Sequence, residues 1–405
     1  MSMAETLATG DDQAQSARRS DLSDRIDAVA AIAEKHAASV DQESRFPSEA
    51  FAELKAQRLL GILLSPAFGG EGRSVADAAQ VCYALGKVCS STSMIYAMHS
   101  ANVACVANHR SGNEHYLSCL RRIGVNQLLL ASSTTEGANG ANVRSSAAAI
   151  IEDGDQVSLD RDASVVSYGA DADAIVTTAR RSPESLPSDQ VLALFFKEDY
   201  QLSRTSKWDV MGMRGTCSEG FRFLAHGRKE QVLSEPYDRI HKRSMVPVTH
   251  ILWAACWAGV AAGAVARAQL FVRNAARAQK GAMPPGASLA TEASLSLMGL
   301  INLVDSAVAD YLAHEKDGAA LEEMGFQTSL NLLKVSASEA AIATVMRAFN
   351  AAGIAAYRND SAFSIARPLR DILSSAIMIN NNRILANVAA SCLIGGVPDS
   401  IIKAR

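Results

Sequence analysis

Charge of one sign is the first thing this sequence lacks. Its 405 residues carry 39 Lys and Arg against 42 Asp and Glu, a formal net charge of −3. With no bulk basic field to gather nucleic acid or an anionic membrane, neither is expected as a partner. Cysteine is sparse: the seven thiols, Cys82, Cys89, Cys105, Cys119, Cys217, Cys256 and Cys392, are scattered and odd in number. There is no CxxC pair and no His at zinc-ligand spacing, so neither a disulfide scaffold nor a metal site is expected. The thiols read as buried free cysteines of a reducing cytoplasm. Aromatics make up only 5% of an Ala-rich chain, the composition of an ordinary soluble protein. Residues 1–20 have no apolar run of the kind a secretory signal needs, and their polar makeup predicts a disordered tail.

One stretch imitates a membrane span. No charged residue intervenes between Arg243 and Arg267, and Ile251 to Ala266 is almost wholly apolar. Its length suits a span. Yet Pro247, Thr249 and His250 interrupt its start, and its interior is mostly Ala and Gly, so it predicts a helix buried on all sides of a bundle.

At 405 residues the chain exceeds what one core usually supports, and two or three packed units are expected. Apolar residues recur at helical spacing from Leu22, and further helices are expected after Pro47, over 74–88, 90–108 and 113–123. Between residues 127 and 226 the pattern changes to short β-type runs, at 147–151, 156–159, 165–167, 174–178, 191–196 and 220–224. Helical periodicity returns near Tyr237, with long segments at 247–280, 288–316, 319–352 and 369–395. The expectation is an α+β chain, mostly α. It has an N-terminal helical domain (21–126), a central small antiparallel β domain (127–236) and a C-terminal four-helix bundle (237–405).

The stretch Leu128 to Arg144, LLLASSTTEGANGANVR, gives that order a function. An apolar run enters a hydroxyl cluster and then a small-residue loop whose N–H groups are unshielded, able to hold a phosphate or the polar edge of a ring system. Four further motifs lie in order around it: LLSPAFGGEG (Leu63 to Gly72), SYGADADAIVTTAR (Ser167 to Arg180), WDVMGMRGTCS (Trp208 to Ser218) and Arg370-Asp371. In this arrangement the chain resembles the acyl-CoA dehydrogenase superfamily from about residue 21 to 400. WDVMGMRGTCS, like the family's W-x-x-x-G-x-R-x-T-x-S, is the most specific match. The resemblance implies FAD between the β block and the C-terminal helices, an acyl thioester along it, and a homotetramer. It places Thr134 and Thr135 against the flavin ring, Gly140 at its pyrophosphate and Ser167 where the family has a Thr near the flavin. Arg277 falls on an arginine that reaches the FAD of a neighbouring subunit.

Departures from the family's pattern bear on the chemistry. Ala141 stands at the phosphate-binding Ser, Val165 at a flavin-stacking Trp and Lys280 at the Phe of R-x-x-F-G. Ala351-Ala352-Gly353 is an imperfect copy of the adenosine turn. The position of the catalytic Glu carries Ile379, and the family's other base position holds Thr249 beside His250. A neutral imidazole can accept a proton, so His250 is the candidate catalytic base; the alternative is a histidine that satisfies a helix end or stacks on Trp253. His99, on an apolar helix, reads as a core histidine. Asn380 to Asn382 are polar where the flavin edge is implied, Asn381 being the candidate cofactor ligand, or they mark a helix start.

Three functions follow. The first is an FAD-dependent oxidoreductase acting on an acyl thioester or similar small substrate through a non-standard base, with an electron-transfer protein as partner. The second is a two-component monooxygenase that takes reduced flavin, FMN included, from a reductase and needs no carboxylate at Ile379. The third is a non-catalytic subunit of a hetero-oligomeric acyl-CoA dehydrogenase.

Overall fold

The structure, a computed structural model, describes the backbone of residues 3–110, 112–137, 142–280 and 282–395, with side chains from Asp21 onward. The helices α1 (Met3–Gln42), α2 (Ser48–Ala56), α3 (Val75–Val88), α4 (Ser90–Asn108) and α5 (Glu114–Asn126) come first. Helical backbone begins at Met3, within the stretch expected to be a disordered tail; Ala, Gln, Glu and Arg there are good helix formers. Ser74 closes a capping box with Asp77 at the start of α3, and the Asn113 side chain accepts from His115 N to start α5, so both ends follow local side-chain chemistry.

The β strands follow as β1 (Leu130–Ser133), β2 (Ile151–Asp153), β3 (Gln156–Val166), β4 (Ala174–Arg180), β5 (Gln190–Phe196), β6 (Tyr200–Ser206) and β7 (Glu219–Arg228). They form two sheets, in the orders β1-β4-β5 and β2-β3-β7-β6. The second is antiparallel as expected, but β1 runs parallel to β4. Two runs read as separate, 156–159 and 165–167, are the single strand β3 with Arg161 buried in its middle. Strand β6 escaped the sequence because most of it faces solvent with polar residues, which removes the apolar alternation that marks a strand.

Helix α6 (Tyr237–Ile240) passes through a π-helical turn, His241–Met245, into α7 (Val246–Ala278). The helices α8 (Ala287–His314), α9 (Gly318–Glu322), α10 (Met324–Ala352), α11 (Ile354–Tyr357), α12 (Ala366–Ile372) and α13 (Asn381–Gly395) complete the chain. The long ones, α7, α8, α10 and α13, make the bundle. Every residue of α7 from Val246 to Val265 is buried, so the span-like stretch is a core helix. Its small residues have a packing reason: a Cβ on Gly259 would sit 2.2 Å from the Tyr83 carbonyl oxygen of α3. Side chains would hold the two backbones apart, and glycine lets them touch.

Candidate active site

A cavity of about 590 Å³ opens where the β-domain loops meet α4, the helical run from Tyr237 to Trp253 and the segment 370–379. That volume is in the range of small-molecule and cofactor sites. Part of its lining is hydroxylic, with Ser132, Thr134, Thr135, Ser167, Thr216 and Ser218. Much of the rest is apolar, with Met94, Met98, Met211, Met245, Met378 and Trp253. Among the described residues no Asp or Glu lines it.

The helical run contributes one face. Tyr237, His241, Met245, Thr249, His250 and Trp253 all reach the cavity, and the π turn at 241–245 adjusts their register where a regular α-helix would turn them away. His250 is buried on α7, and its Nδ1 lies 3.0 Å from the Leu330 carbonyl oxygen. A carbonyl only accepts, so Nδ1 carries the proton and Nε2 keeps its lone pair. Burial pushes the imidazolium down to about 4, against the pull of that carbonyl; the side chain is neutral at pH 7. Burial likewise holds His241 at about 4.

His99 is a core residue. Its Nε2 donates to Leu60 O at 2.8 Å and its Nδ1 accepts from Leu130 N at 3.0 Å, so neither nitrogen is left for chemistry. The Trp208 loop is fixed to the C-terminal helices. Asp371 accepts from Met213 N at 2.6 Å, Arg370 donates to Met211 O at 2.7 Å and also pairs with Asp41. A Cβ on Gly212 would lie 2.2 Å from Arg370 O, so this loop seats directly on backbone.

Residues 21–116 match the model of the acyl-CoA dehydrogenase N-terminal domain. Cyclohex-1-ene-1-carbonyl-CoA dehydrogenase of Geobacter metallireducens is 25% identical over 367 residues, 88% of this chain and 93% of that protein. The probable acyl-CoA dehydrogenase fadE25 of Mycobacterium leprae is 25% identical over 378 residues, 90% of this chain and 93% of its own. These matches support the acyl-CoA dehydrogenase superfamily. Among solved structures, TdsC of Paenibacillus sp. A11-2 in complex with FMN and indole superposes with a TM-score of 0.79 at 19% identity, over 93% of this chain and 98% of that one.

The superfamily binds flavin, and the described residues fit the ring of one: hydroxyls for a polar edge, Met and Trp side chains for the flat faces, and a matching volume. Thr134, Thr135 and Ser167, which the resemblance assigns to the flavin, line the cavity. Gly140 and Ala141, implied at the phosphates, lie outside the described residues. Val165 lines the cavity where the stacking Trp was implied.

Asn381 and Arg277, implied at the cofactor (Arg277 at that of a neighbouring subunit), do not line this cavity. Asn381 points inward: its Oδ1 accepts from Lys334 Nζ at 2.7 Å and its Nδ2 donates to Ser338 Oγ at 3.0 Å. A buried ammonium needs acceptors, and Asn381 is one of them. Arg277 is exposed near the far end of α7 and does not reach this cavity. It lies beside a second cavity of about 400 Å³, lined by Ala275, Gln279 and Ala351 to Gly353.

Sequence reasoning missed three features. His241 lies nine residues before His250, half a turn out of phase in a regular α-helix, and shares its face only through the π turn. Lys334 depends on partners distant in the chain and left no local signal, and the Thr216–Ser218 hydroxyl pair, though inside the Trp208 motif, gains its link to the cavity only from the distant Ser167.

Proposed function

We propose that this protein is an FAD-dependent oxidoreductase of the acyl-CoA dehydrogenase type, acting on an acyl thioester or similar small substrate with His250 as its base. The observation that carries this is the His250 imidazole: buried, lining the cavity, and locked by Leu330 O in the tautomer that leaves Nε2 open. Bound flavin would supply the two-electron acceptor. Thr134, Thr135 and Ser167 would hold its polar edge, and Met and Trp side chains would exclude water from its faces. A base near 4 is as strong as an ordinary carboxylate, so His250 matches the missing Glu in basicity. It differs in charge, because taking up a proton creates a buried cation near Lys334 and His241. The proton would therefore be held briefly at Nε2 and passed on.

A second reading, the reduced-flavin monooxygenase with FMN or FAD, draws on a different observation: a cavity rich in Met and Trp with no carboxylate among its described lining residues. The likeness to TdsC, a dibenzothiophene monooxygenase, agrees with it at the level of fold. In either case we place the enzyme in the cytoplasm, in keeping with seven free cysteines. Assembly as a homotetramer is supported by the apolar residues that α8 leaves exposed, Leu295, Met298 and Ile301. Two assays separate the readings, the first anaerobic and the second with oxygen supplied. Bleaching of the flavin band by acyl-CoA supports dehydrogenation; product formed only with a flavin reductase and oxygen supports the monooxygenase.

A further inference from the structure

The cavity's hydroxyls are linked in one direction. Met213 O accepts from Trp208 Nε1 at 3.1 Å and from Thr216 Oγ1 at 2.8 Å. A carbonyl cannot donate, so the single Thr216 hydroxyl proton is committed to it. Thr216 Oγ1 also lies 2.8 Å from Ser218 Oγ, and with its own proton spent it must accept there. Ser218 in turn spends its proton on Thr216 and accepts from Ser167 Oγ at 2.8 Å. The chain reads Ser167 to Ser218 to Thr216 to Met213, and Ser167 is left facing the cavity with lone pairs only.

We infer that Ser167 is a fixed hydrogen-bond acceptor in the cavity wall and that the site therefore favours the reduced, N–H-bearing form of a flavin over the oxidised form. The inference rests on the flavin reading above and deepens it. A reduced isoalloxazine carries N–H groups on ring nitrogens that are bare acceptors when oxidised. An acceptor opposite a bare nitrogen leaves both unpaired, whereas the same oxygen opposite N–H gains a bond. Ser218 and Thr216 act through Ser167 and are positioning residues. The same polarity suits either reaction, since a dehydrogenase must stabilise reduced flavin as it forms and a two-component oxygenase must capture it from a reductase.

The test uses the full-length protein with FMN and with FAD, each titrated anaerobically in the oxidised and the dithionite-reduced form, together with the midpoint potential of the bound flavin. The wild type is expected to bind reduced flavin more tightly and to raise the potential above that of free flavin. Ser218→Ala frees the Ser167 proton and is expected to cut the reduced-over-oxidised preference about tenfold, a fall of about 30 mV for a two-electron couple. Ser218→Thr, which keeps the hydroxyl, is expected to retain the preference, and Thr216→Val provides a second break in the chain should Ser218→Ala melt early. Equal affinities in the wild type, or a potential unmoved in folded Ser218→Ala and Thr216→Val, would overturn the inference while leaving flavin binding intact. Failure to bind either form of either flavin would instead remove the flavin reading and the inference with it.

Discussion

The Lys334 ammonium donates to the Ile379 carbonyl oxygen at 2.8 Å, inside the bundle and beside the cavity. Its other protons go to Ser375 O at 2.9 Å and Asn381 Oδ1 at 2.7 Å, so all three hydrogen bonds of this buried cation go to neutral oxygens. Ile379 needs holding: its φ of 48° is left-handed, a conformation a β-branched residue adopts only under strain of order 1–3 kcal/mol. Ile379, which the resemblance puts at the position of the catalytic Glu, is thus a strained apolar residue pinned by its backbone.

Lys334→Met removes the pin and leaves two backbone carbonyls and an Asn oxygen without their donor. A loss of about 2–4 kcal/mol in unfolding free energy is expected, at about 1–3 kcal/mol for each unsatisfied buried group less the relief of burying a charge. Burial lowers the Lys334 pKa to about 8. Between pH 8 and its ordinary value of 10.5 the unfolded chain binds the proton and the folded one does not, so stability gains from this group as pH rises through that window. Denaturant titrations at pH 7 and pH 10 test this. The Lys334 share of the rise should be missing in Lys334→Met, and a variant with the same pH dependence as wild type would sink the assignment.

His250→Ala is expected to lower turnover by at least about tenfold, since positioned bases contribute on the order of 10²–10⁴. Flavin content should be nearly unchanged, because the imidazole is bound to Leu330 O and is not among the residues the resemblance assigns to the cofactor. Steady-state rates measured alongside the flavin-to-protein absorbance ratio separate loss of the base from loss of the cofactor. Unchanged turnover would take His250 out of the mechanism.

Acid should destabilise the fold well before the carboxylates titrate. His99 and His250 are buried and neutral, each held at about 4 by burial. Their folded pKa lies below the unfolded value of about 6.5, so stability from keeping them neutral is complete above pH 6.5 and is lost as pH falls toward 4. By pH 5 the loss is on the order of 2 kcal/mol for each. Melting temperatures recorded from pH 7 to pH 5 should fall accordingly, and His250→Gln should flatten the curve by its share. A profile flat to pH 5 would mean these imidazoles are not buried as described.

Much of this was legible from residue types and spacing. The α–β–α order and the buried α7 follow from periodicity, whereas Thr134, Thr135, Ser167 and His250 were singled out through the family resemblance and line the cavity. What escaped was set by partners far along the chain. Asn381 reads as a cofactor ligand until Lys334, 47 residues away, takes its oxygen. His99 reads correctly as a core histidine from its apolar helix, but its partners Leu60 and Leu130 could not be read there. Arg161 breaks the apolar alternation of β3, which made one strand look like two.

That arginine carries a last expectation. Arg161 is 1% exposed, its Nη1 bonds Thr178 O, and its Nε and Nη2 have no hydrogen-bond partner among the described residues. Its counter-charge, Glu136, lies 3.6 Å from Nε and uses its oxygens mainly on Ala147 N and Ala148 N, at 2.5 and 3.1 Å. Burial lowers the guanidinium to about 10, well below its usual value. A pair this poorly matched does not repay its desolvation. Arg161→Met, similar in length and apolar, is therefore expected to be neutral or to stabilise by about 1–3 kcal/mol. Glu136→Ala should cost about 3–5 kcal/mol, because it strands the cation and frees two loop N–H groups. Chemical denaturation of both variants decides the matter. If Arg161→Met is the more damaging of the two, the guanidinium has a partner that this geometry does not account for.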